Sequence, residues 1–277
     1  RTRSFLKVQD GCDYKCTYCT IPAARGRSRN LPIKQIVEEA QQIAALRIKE
    51  VVLTGVNIGD FGRSTGEDFL DLLKQLEQVD GIERYRISSI EPNLLTSEIV
   101  EWIASGTKFL PHFHIPLQSG CDEILRKMRR RYNTTMFRQK IELVRSYMGN
   151  PFFGIDVITG FPGETEELFN ETYRFLEEIR PAFIHIFPYS RRNGTPAALM
   201  DDQVDEQVKQ QRVHRLEELC AKLHKEYYDS FKGATEEVLF ESTQKGGKMF
   251  GYTRNYILVE RPYDKDLIGK ISVVVLD

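Results

Sequence analysis

The sequence has no long apolar segment and no marked excess of charge of either sign. None of its hydrophobic runs approaches the roughly 20 residues that a membrane-spanning helix needs, and no secretory signal opens the chain. The 39 lysine and arginine residues nearly balance the 40 acidic residues, so the formal net charge is only −1. We therefore predict a cytoplasmic protein without a membrane partner, in which any binding of nucleic acid depends on local basic patches.

Cysteine is scarce, and its five copies are unevenly distributed. Three of them lie between residues 12 and 19, whereas Cys121 and Cys220 stand alone in the sequence. A secreted disulfide framework would usually pair its cysteines and spread them along the chain. The clustering instead predicts a reducing compartment and a bound metal.

Strand-like and helix-like segments alternate over most of the chain. Helical patterns fill the five intervals between six predicted strands, which cover residues 4–9, 51–54, 85–90, 112–117, 152–158 and 183–189. Such alternation predicts parallel βαβ units and an α/β fold. Two architectures fit the pattern, a doubly wound sheet and a barrel with fewer than eight units.

The character of the sequence changes near residue 233. Residues 202–231 form one long polar helical pattern, and short strand patterns separated by glycines follow at 237–241, 256–260 and 271–276. We therefore predict two domains. Residues 1–232 form the α/β domain with a long C-terminal helix, and residues 233–277 form a small antiparallel β-barrel.

Cys12, Cys16 and Cys19 follow the spacing C-x3-C-x2-C. A structural zinc site needs four ligands, and a catalytic zinc site takes its three ligands mostly from histidine and carboxylate side chains. Iron–sulfur clusters are held by thiolates, normally one for each iron. Three cysteines on a four-iron cluster would leave one iron free to bind another molecule. A zinc loop or a disulfide loop remains the alternative.

The spacing of the three cysteines resembles the signature of the radical S-adenosylmethionine (SAM) superfamily. The resemblance implies a partial (β/α)6 barrel and a 4Fe–4S cluster on Cys12, Cys16 and Cys19. It also implies that SAM chelates the free iron and that an electron from the cluster cleaves SAM to a 5′-deoxyadenosyl radical. In such a barrel the loops at the carboxyl ends of the strands build the site, and Cys12 lies just past the first predicted strand.

Polar residues near the ends of the later strands are candidates for contacts to SAM. The segment TGVNIG resembles a variant of the superfamily's glycine-rich segment, and ITGFPGET loosely resembles its adenine-contacting segment. The candidates are Thr54, Gly55, Asn57, Ser88, Glu91, Gln118, Asp156 and Thr159. Each glycine-bearing turn alone is more often only a turn, so the prediction depends on all of them meeting at one end of the strands. His114, on an apolar strand, is predicted to be a core histidine.

Longer stretches are similar to the radical SAM methylthiotransferases, namely VQDGCDYKCTYCTIPAARGRSR, LTGVNIGDFG, HFHIPLQSG, LRKMRRRY, ITGFPGET and FPYSRRNGTPA. The resemblance implies an enzyme that adds a methylthio group to carbon 2 of threonylcarbamoyladenosine beside a tRNA anticodon. Isopentenyladenosine in tRNA and an aspartate of a ribosomal protein are the alternative substrates. The resemblance also implies an electron donor such as flavodoxin or ferredoxin. Family members carry a further N-terminal domain with three more cysteines, so we expect this chain to be part of a longer protein.

The C-terminal segment GYTRNYILVE resembles a TRAM domain, a small barrel that binds RNA. Residues 126–131 also hold five cations in six positions. The candidate RNA contacts are Arg126, Arg129, Arg130, Lys245, Lys248, Tyr252 and Arg254. A solvated helix face explains residues 126–131 equally well. A non-catalytic RNA-binding protein with a structural metal is the alternative from another functional class.

Overall fold

The computed structural model describes residues 2–277. Its α/β part contains six strands, which are β1 (Arg3–Lys7), β2 (Glu50–Thr54), β3 (Arg84–Ile87), β4 (His112–Gln118), β5 (Phe152–Thr159) and β6 (Phe183–Pro188). The strands pair in parallel as β1–β2–β3 and as β4–β5–β6. A parallel bridge from Ser89 to His114 joins the two groups. The predicted alternation of strands and helices is therefore confirmed.

The strand order decides between the two predicted architectures. Every strand neighbours the next strand in sequence, whereas a doubly wound sheet reverses its order at a switch point. The chain therefore advances in one direction around a partial barrel. Within residues 2–277 no pairing joins β6 to β1, so the barrel is open on that side.

The helices cover the outer side of the strands. They are α1 (Ile21–Arg25), α2 (Ile33–Ala45), α3 (Phe69–Glu77), α4 (Ser97–Ala104), α5 (Asp122–Lys127), α6 (Thr134–Met148), α7 (Glu166–Ile179) and α8 (Glu206–Asp229). Several begin at a side chain that accepts hydrogen bonds from the first-turn amides, as Asp68, Asn133 and Thr165 do. No helix within residues 2–277 is long and apolar enough to cross a membrane.

The C-terminal segment forms a four-stranded antiparallel sheet in the order β10–β7–β8–β9. Its strands are β7 (Thr235–Lys245), β8 (Lys248–Thr253), β9 (Leu258–Pro262) and β10 (Ile271–Val275). The sequence analysis missed β8. Gly246 and Gly247 both adopt positive φ, and two such residues make the tight turn that joins β7 to β8. The antiparallel pairing is therefore confirmed. No pairing of β9 with β10 closes the sheet within residues 235–275, and the predicted small β-barrel stays a prediction.

This sheet packs against the amino ends of the barrel strands. The Arg84 side chain, fully buried at the start of β3, donates to the carbonyls of Tyr252 (3.0 Å) and Glu237 (2.9 Å). Phe152, at the start of β5, shares a hydrophobic cluster with Val238 and other residues of the sheet. The sheet therefore closes the end of the barrel opposite the cysteine loop. The predicted division at residue 232 falls between α8 and β7 and stays a prediction.

Candidate metal centre

The three cysteines lie in the loop that connects β1 to α1, at the carboxyl ends of the strands. All three are free thiols. Cys16 is buried, whereas Cys12 and Cys19 are partly exposed. The amide of Tyr14 donates to Cys12 Sγ and the amide of Ile21 donates to Cys19 Sγ, both at 3.4 Å. Such bonds to sulfur are typical of the environments that tune iron–sulfur clusters.

Burial raises the pKa of the Cys12 and Cys19 thiols, although the amide hydrogen bonds oppose this shift. A thiol must lose its proton to bind a metal. We therefore expect metal binding to these two groups to release protons.

The backbone holds this loop firmly in place. The Cys12 amide donates to the Gly26 carbonyl at 3.1 Å, and the Thr17 amide donates to the Met128 carbonyl at 3.1 Å. Gly11 adopts φ +71°, and a Cβ there would lie 2.1 Å from the Arg27 carbonyl oxygen. Only glycine fits so close an approach with this backbone conformation. The loop is therefore prearranged to present its thiols.

Arg130 lies in this site rather than on an RNA-binding surface. Its side chain is only 4% exposed and is ion-paired with Glu91. Its Nη1 donates to Cys16 Sγ at 3.0 Å and to the Tyr18 hydroxyl at 3.3 Å. The prediction that Arg130 contacts RNA is therefore wrong. Helix α5 ends at Lys127 and the next turn contains a left-handed residue, Arg129 (φ 58°), which redirects the chain so that Arg130 points inward.

The spread of the three thiols fits a cluster better than a single zinc ion. Of the described residues, only a histidine–aspartate group elsewhere in the barrel brings three ligand atoms within 4.8 Å of one another. A tetrahedral zinc ion with Zn–S bonds of about 2.3 Å requires sulfur atoms about 3.8 Å apart. At least one pair of the three sulfur atoms therefore lies more than 4.8 Å apart, which is wider than a single tetrahedral zinc ion holds its ligands.

Gln9 joins the cysteine loop to the glycine-bearing segment after β2, and the sequence analysis missed it. Its side chain is buried. Its Oε1 accepts from the amides of Val56 (2.9 Å) and Asn57 (2.8 Å), and its Nε2 donates to the Gly11 carbonyl (2.8 Å). A single glutamine at a strand end carries no sequence signal for this role, because the amides of Val56 and Asn57 lie almost 50 residues away in the sequence.

Most of the predicted SAM contacts lie at the carboxyl edge of the strands, but their surroundings differ. Asn57 is buried, and neither atom of its side-chain amide has a hydrogen-bond partner within residues 2–277. The Ser88 hydroxyl is likewise buried and unpartnered in the same range. Buried polar groups are normally hydrogen-bonded, so these two groups fit a site that receives a polar ligand.

The surroundings of four other candidates differ from this. Gly55 packs on Gln9, since a Cβ there would lie 3.0 Å from Gln9 Oε1. Thr54 Oγ1 donates to the Leu6 carbonyl at 3.4 Å, and Gln118 adopts a left-handed φ of 69° at the end of β4. Asp156 lies further down β5, where its carboxylate is 2.6 Å from His114 Nε2. The structure therefore separates Asp156 from the residues at the strand ends.

The loop that follows β5 is fixed by a buried carboxylate. Glu164 Oε1 accepts from the Gly160 amide (2.7 Å), from Arg212 Nη1 of α8 (2.9 Å) and from the Thr159 hydroxyl (3.4 Å). Burial raises the pKa of Glu164, while the Gly160 amide and Arg212 lower it. The sequence analysis missed Glu164 and Arg212. Thr159, a predicted SAM contact, is thus tied to this network.

The remaining candidate RNA contacts do not share one surface. Tyr252 stacks on Tyr256 with ring centroids 4.5 Å apart, and both rings line the barrel interior. Arg254 Nη2 donates to the Thr107 carbonyl at 3.2 Å. The amino end of the barrel contacts this end of the sheet, so Tyr252 and Arg254 are only partly exposed. Their contacts to RNA stay predictions. The exposed members of the set are Arg126, Arg129, Lys245 and Lys248.

The sequence model of the radical SAM superfamily matches residues 6–176. The chain belongs to the radical SAM superfamily. This membership confirms the 4Fe–4S cluster and SAM as cofactors, as the cysteine spacing predicted. The residues present fit them, because three free thiols, the Arg130 cation and the unpartnered Asn57 amide converge at one end of the barrel.

Several curated relatives are similar over nearly the whole of this radical SAM chain. The threonylcarbamoyladenosine tRNA methylthiotransferase MtaB of Bacillus subtilis is 43% identical over 280 residues, which cover 99% of this chain and 62% of that protein. The protein of the same name from Aquifex aeolicus is 38% identical, with 99% and 65% covered. The tRNA-2-methylthio-N(6)-dimethylallyladenosine synthase of Alkaliphilus oremlandii is 38% identical, with 97% and 58% covered. The chain thus spans less than two thirds of the length of each of these relatives.

Solved structures with low sequence identity share the fold. The radical SAM methyltransferase TsrM from Kitasatospora setae has a TM-score of 0.59 at 18% identity, with 71% of this chain and 38% of that chain covered. The coproporphyrinogen III oxidase HemN from Escherichia coli has a TM-score of 0.54 at 16% identity, with 80% and 52% covered. At these identities the similarity shows the radical SAM fold alone.

Proposed function

We propose that this chain is the radical SAM part of a methylthiotransferase that modifies carbon 2 of threonylcarbamoyladenosine beside a tRNA anticodon. The observation that carries the proposal is the thiol loop with Arg130 beside it, in a chain that is 43% identical to MtaB of Bacillus subtilis. The similarity to MtaB of Bacillus subtilis makes threonylcarbamoyladenosine the first substrate to test.

Each residue of the site has a chemical role in this proposal. Cys12, Cys16 and Cys19 would hold the cluster, which when loaded supplies the electron that cleaves SAM. Arg130 would place its positive charge beside the carboxylate of SAM, because its guanidinium is held next to Cys16 Sγ. Glu91 orients Arg130 through their ion pair.

The Asn57 amide is available to a polar group of SAM, since its donors and its acceptor have no partner within residues 2–277. Gln9 would position Asn57 through the backbone amide that it holds. Gly55, Thr54, Ser88, Gln118 and Thr159 remain predicted contacts at the same edge. Asp156 also remains a predicted contact, although it lies deeper in the barrel.

Residues 233–277 would form a TRAM-like RNA-binding domain. The support is the exposed pair Lys245 and Lys248, which flank the β7–β8 turn, together with the exposed Arg126 and Arg129 of the α/β part. Exposed cations of this kind contact phosphates and position an RNA without reading its sequence. A cytoplasmic electron donor such as flavodoxin or ferredoxin would complete the system.

The full-length protein, reconstituted anaerobically with iron and sulfide, tests the proposal. With SAM, a strong reductant and tRNA that lacks the modification, mass spectrometry of the digested tRNA should find 2-methylthio-threonylcarbamoyladenosine. If the methylthio group is found only on tRNA that carries dimethylallyladenosine, that nucleoside is the substrate instead. If the methylthio group is found only on a ribosomal protein, tRNA is not the substrate. Release of no 5′-deoxyadenosine by the cluster-loaded protein would contradict the site assignment itself.

The 277-residue chain tested beside the full-length protein adds a sharper comparison. Outside the triplet it contains only Cys121 and Cys220, both buried, so it offers no second set of three thiolates within its sequence. We expect it to release 5′-deoxyadenosine from SAM but to form little methylthiolated product. Efficient methylthiolation by this chain alone would show that further cysteines are not required.

A further inference from the structure

The barrel interior carries a second group of potential metal ligands, distant in sequence from the cysteine loop. His114, Asp156 and His185 come from the neighbouring parallel strands β4, β5 and β6. Asp156 is paired in register with His185, and His114 is paired with Gly154. Paired residues of parallel strands point to the same face of the sheet, and here that face is the barrel interior.

Gly154 gives the group its space. A Cβ at this position would lie 3.3 Å from the Phe152 ring and 3.6 Å from His185 Nε2. Because this space is empty, His114 reaches towards Asp156, and its Nε2 lies 2.6 Å from Asp156 Oδ1. The rings of His114 and His185 stack with centroids 4.9 Å apart.

The three side chains offer a compact donor set. One ligand atom from each, two imidazole nitrogens and one carboxylate oxygen, lies within 4.8 Å of the others. His114 and His185 line a cavity of about 540 Å³ in the barrel interior. Two imidazoles and a carboxylate on one side of an ion, with the other positions open, are a known protein site for divalent first-row metals.

A simple hydrogen-bonded pair accounts for only part of this group. It explains His114 and Asp156, whereas His185 stacks on the His114 ring without taking part in that bond. Burial and the neighbouring His114 lower the pKa of His185. The bond between His114 and Asp156 thus leaves the His185 imidazole uncommitted to that pair.

The arginines near the cavity do not prevent a cation from binding beside His114, Asp156 and His185. Arg86, which lines the same cavity, is ion-paired with Glu50 at 3.3 Å. Arg3 also pairs with Glu50, at 2.9 Å, and with Glu241, at 3.2 Å. Asp156 thus supplies a negative charge beside two imidazoles, while Arg86 and Arg3 are paired with Glu50 and Glu241.

We propose that His114, Asp156 and His185 bind a divalent first-row transition metal ion inside the barrel, separate from the cluster. Its open positions would face the cavity, where the ion would act as a Lewis acid towards an oxygen or nitrogen of a molecule bound there.

Zinc binding to the cluster-loaded protein tests this site. The reconstituted protein is freed of loose metal with a chelator, its iron content is measured, and Zn²⁺ is added under anaerobic equilibrium dialysis. We expect one zinc per chain beyond the cluster iron. Asp156→Asn and His185→Ala should each weaken this binding by more than the 10- to 100-fold that loss of an outer hydrogen-bond partner costs.

His214→Ala is the matched control, because His214 is 72% exposed on α8 and should leave zinc binding unchanged. X-ray absorption at the zinc edge should find nitrogen and oxygen at about 2.0–2.2 Å rather than sulfur at about 2.3 Å. Absence of the extra zinc from folded, iron-loaded protein would overturn the proposal. So would unchanged binding in Asp156→Asn and His185→Ala, or zinc bound only to sulfur. The readout is metal content, so the outcome does not depend on methylthio transfer.

Discussion

The two ends of the barrel are built from different kinds of contact. At the carboxyl end, eight consecutive positions carry all three thiols, and the Asn57 amide is left unpartnered within residues 2–277. At the amino end, the Arg84 side chain donates hydrogen bonds to backbone carbonyls that lie more than 150 residues away in the sequence. The first end leaves groups available to a cofactor, whereas the second end ties two parts of the chain together. This difference follows the division of α/β barrels into a catalytic face and a stabilising face.

The largest effect is expected from the cysteines at the carboxyl end. Cys16→Ala should abolish the 4Fe–4S cluster, because two thiolates do not hold it stably. Iron and sulfide analysis with absorption spectroscopy measures this loss. Cys220→Ala should retain the cluster, since Cys220 is buried on α8 beside Ile184. Loss of the cluster from that control would contradict the three-ligand assignment.

A substitution at the amino end should lower the free energy of unfolding rather than the cluster content. Arg84→Met keeps the apolar bulk but leaves the carbonyls of Glu237 and Tyr252 without their donor. We expect the free energy of unfolding to fall by about 2–4 kcal/mol, measured by urea denaturation of the cluster-free protein. Arg126→Met on the exposed face of α5 should change it by less than about 0.5 kcal/mol. If Arg84→Met instead lost SAM binding with unchanged stability, the contrast between the two ends would be wrong.

At the carboxyl end, substitutions of Arg130 and of its neighbour Arg129 should differ in their effect on SAM affinity. Arg130→Lys keeps the positive charge but removes the paired donors, so we expect SAM affinity to fall by about 10- to 100-fold, which corresponds to the loss of a charged hydrogen bond. Equilibrium binding of SAM to the cluster-loaded protein measures the change. Arg129→Lys, at an exposed neighbour, serves as the control. Equal losses in both variants would indicate a general charge effect rather than a SAM contact.

The smallest effect is expected at the exposed cations. Lys245→Ala combined with Lys248→Ala should weaken tRNA binding and reduce the salt dependence of the logarithm of the binding constant by about 0.7–0.9 for each phosphate that the variant no longer neutralises. Binding measured across a range of salt concentrations gives this slope. Arg126→Ala with Arg129→Ala tests the other patch in the same way. An unchanged slope in the lysine pair and a reduced slope in the arginine pair would place the RNA on the α/β part.

Several elements were predictable because their signals are local. The strand–helix alternation depends on hydrophobic patterning within each segment, and the metal site depends on three cysteines in one loop. Strand β8 was also within reach, because Gly246 and Gly247 between alternating residues are a hairpin signal. The position predicted for Arg130 was wrong because it depends on the backbone conformation and not on the local composition. A run of cations predicts an exposed face, but the left-handed conformation of Arg129 turns the backbone so that the Arg130 side chain is buried.

The sequence by itself determined the alternation of strands and helices and the clustering of the three thiols, since both depend on the spacing or periodicity of neighbouring residues. The cofactors and the partial barrel followed from the family resemblance, and the order of the strands was read from the structure. Only the tertiary structure decided which distant side chains meet. Gln9 reaches Asn57, Glu164 reaches Arg212, and His114 meets Asp156 across 42 positions. These contacts depend on strand register and on empty space such as that above Gly154. Register and packing are settled by the whole fold, because a shift of one residue would turn each side chain to the other face of the sheet.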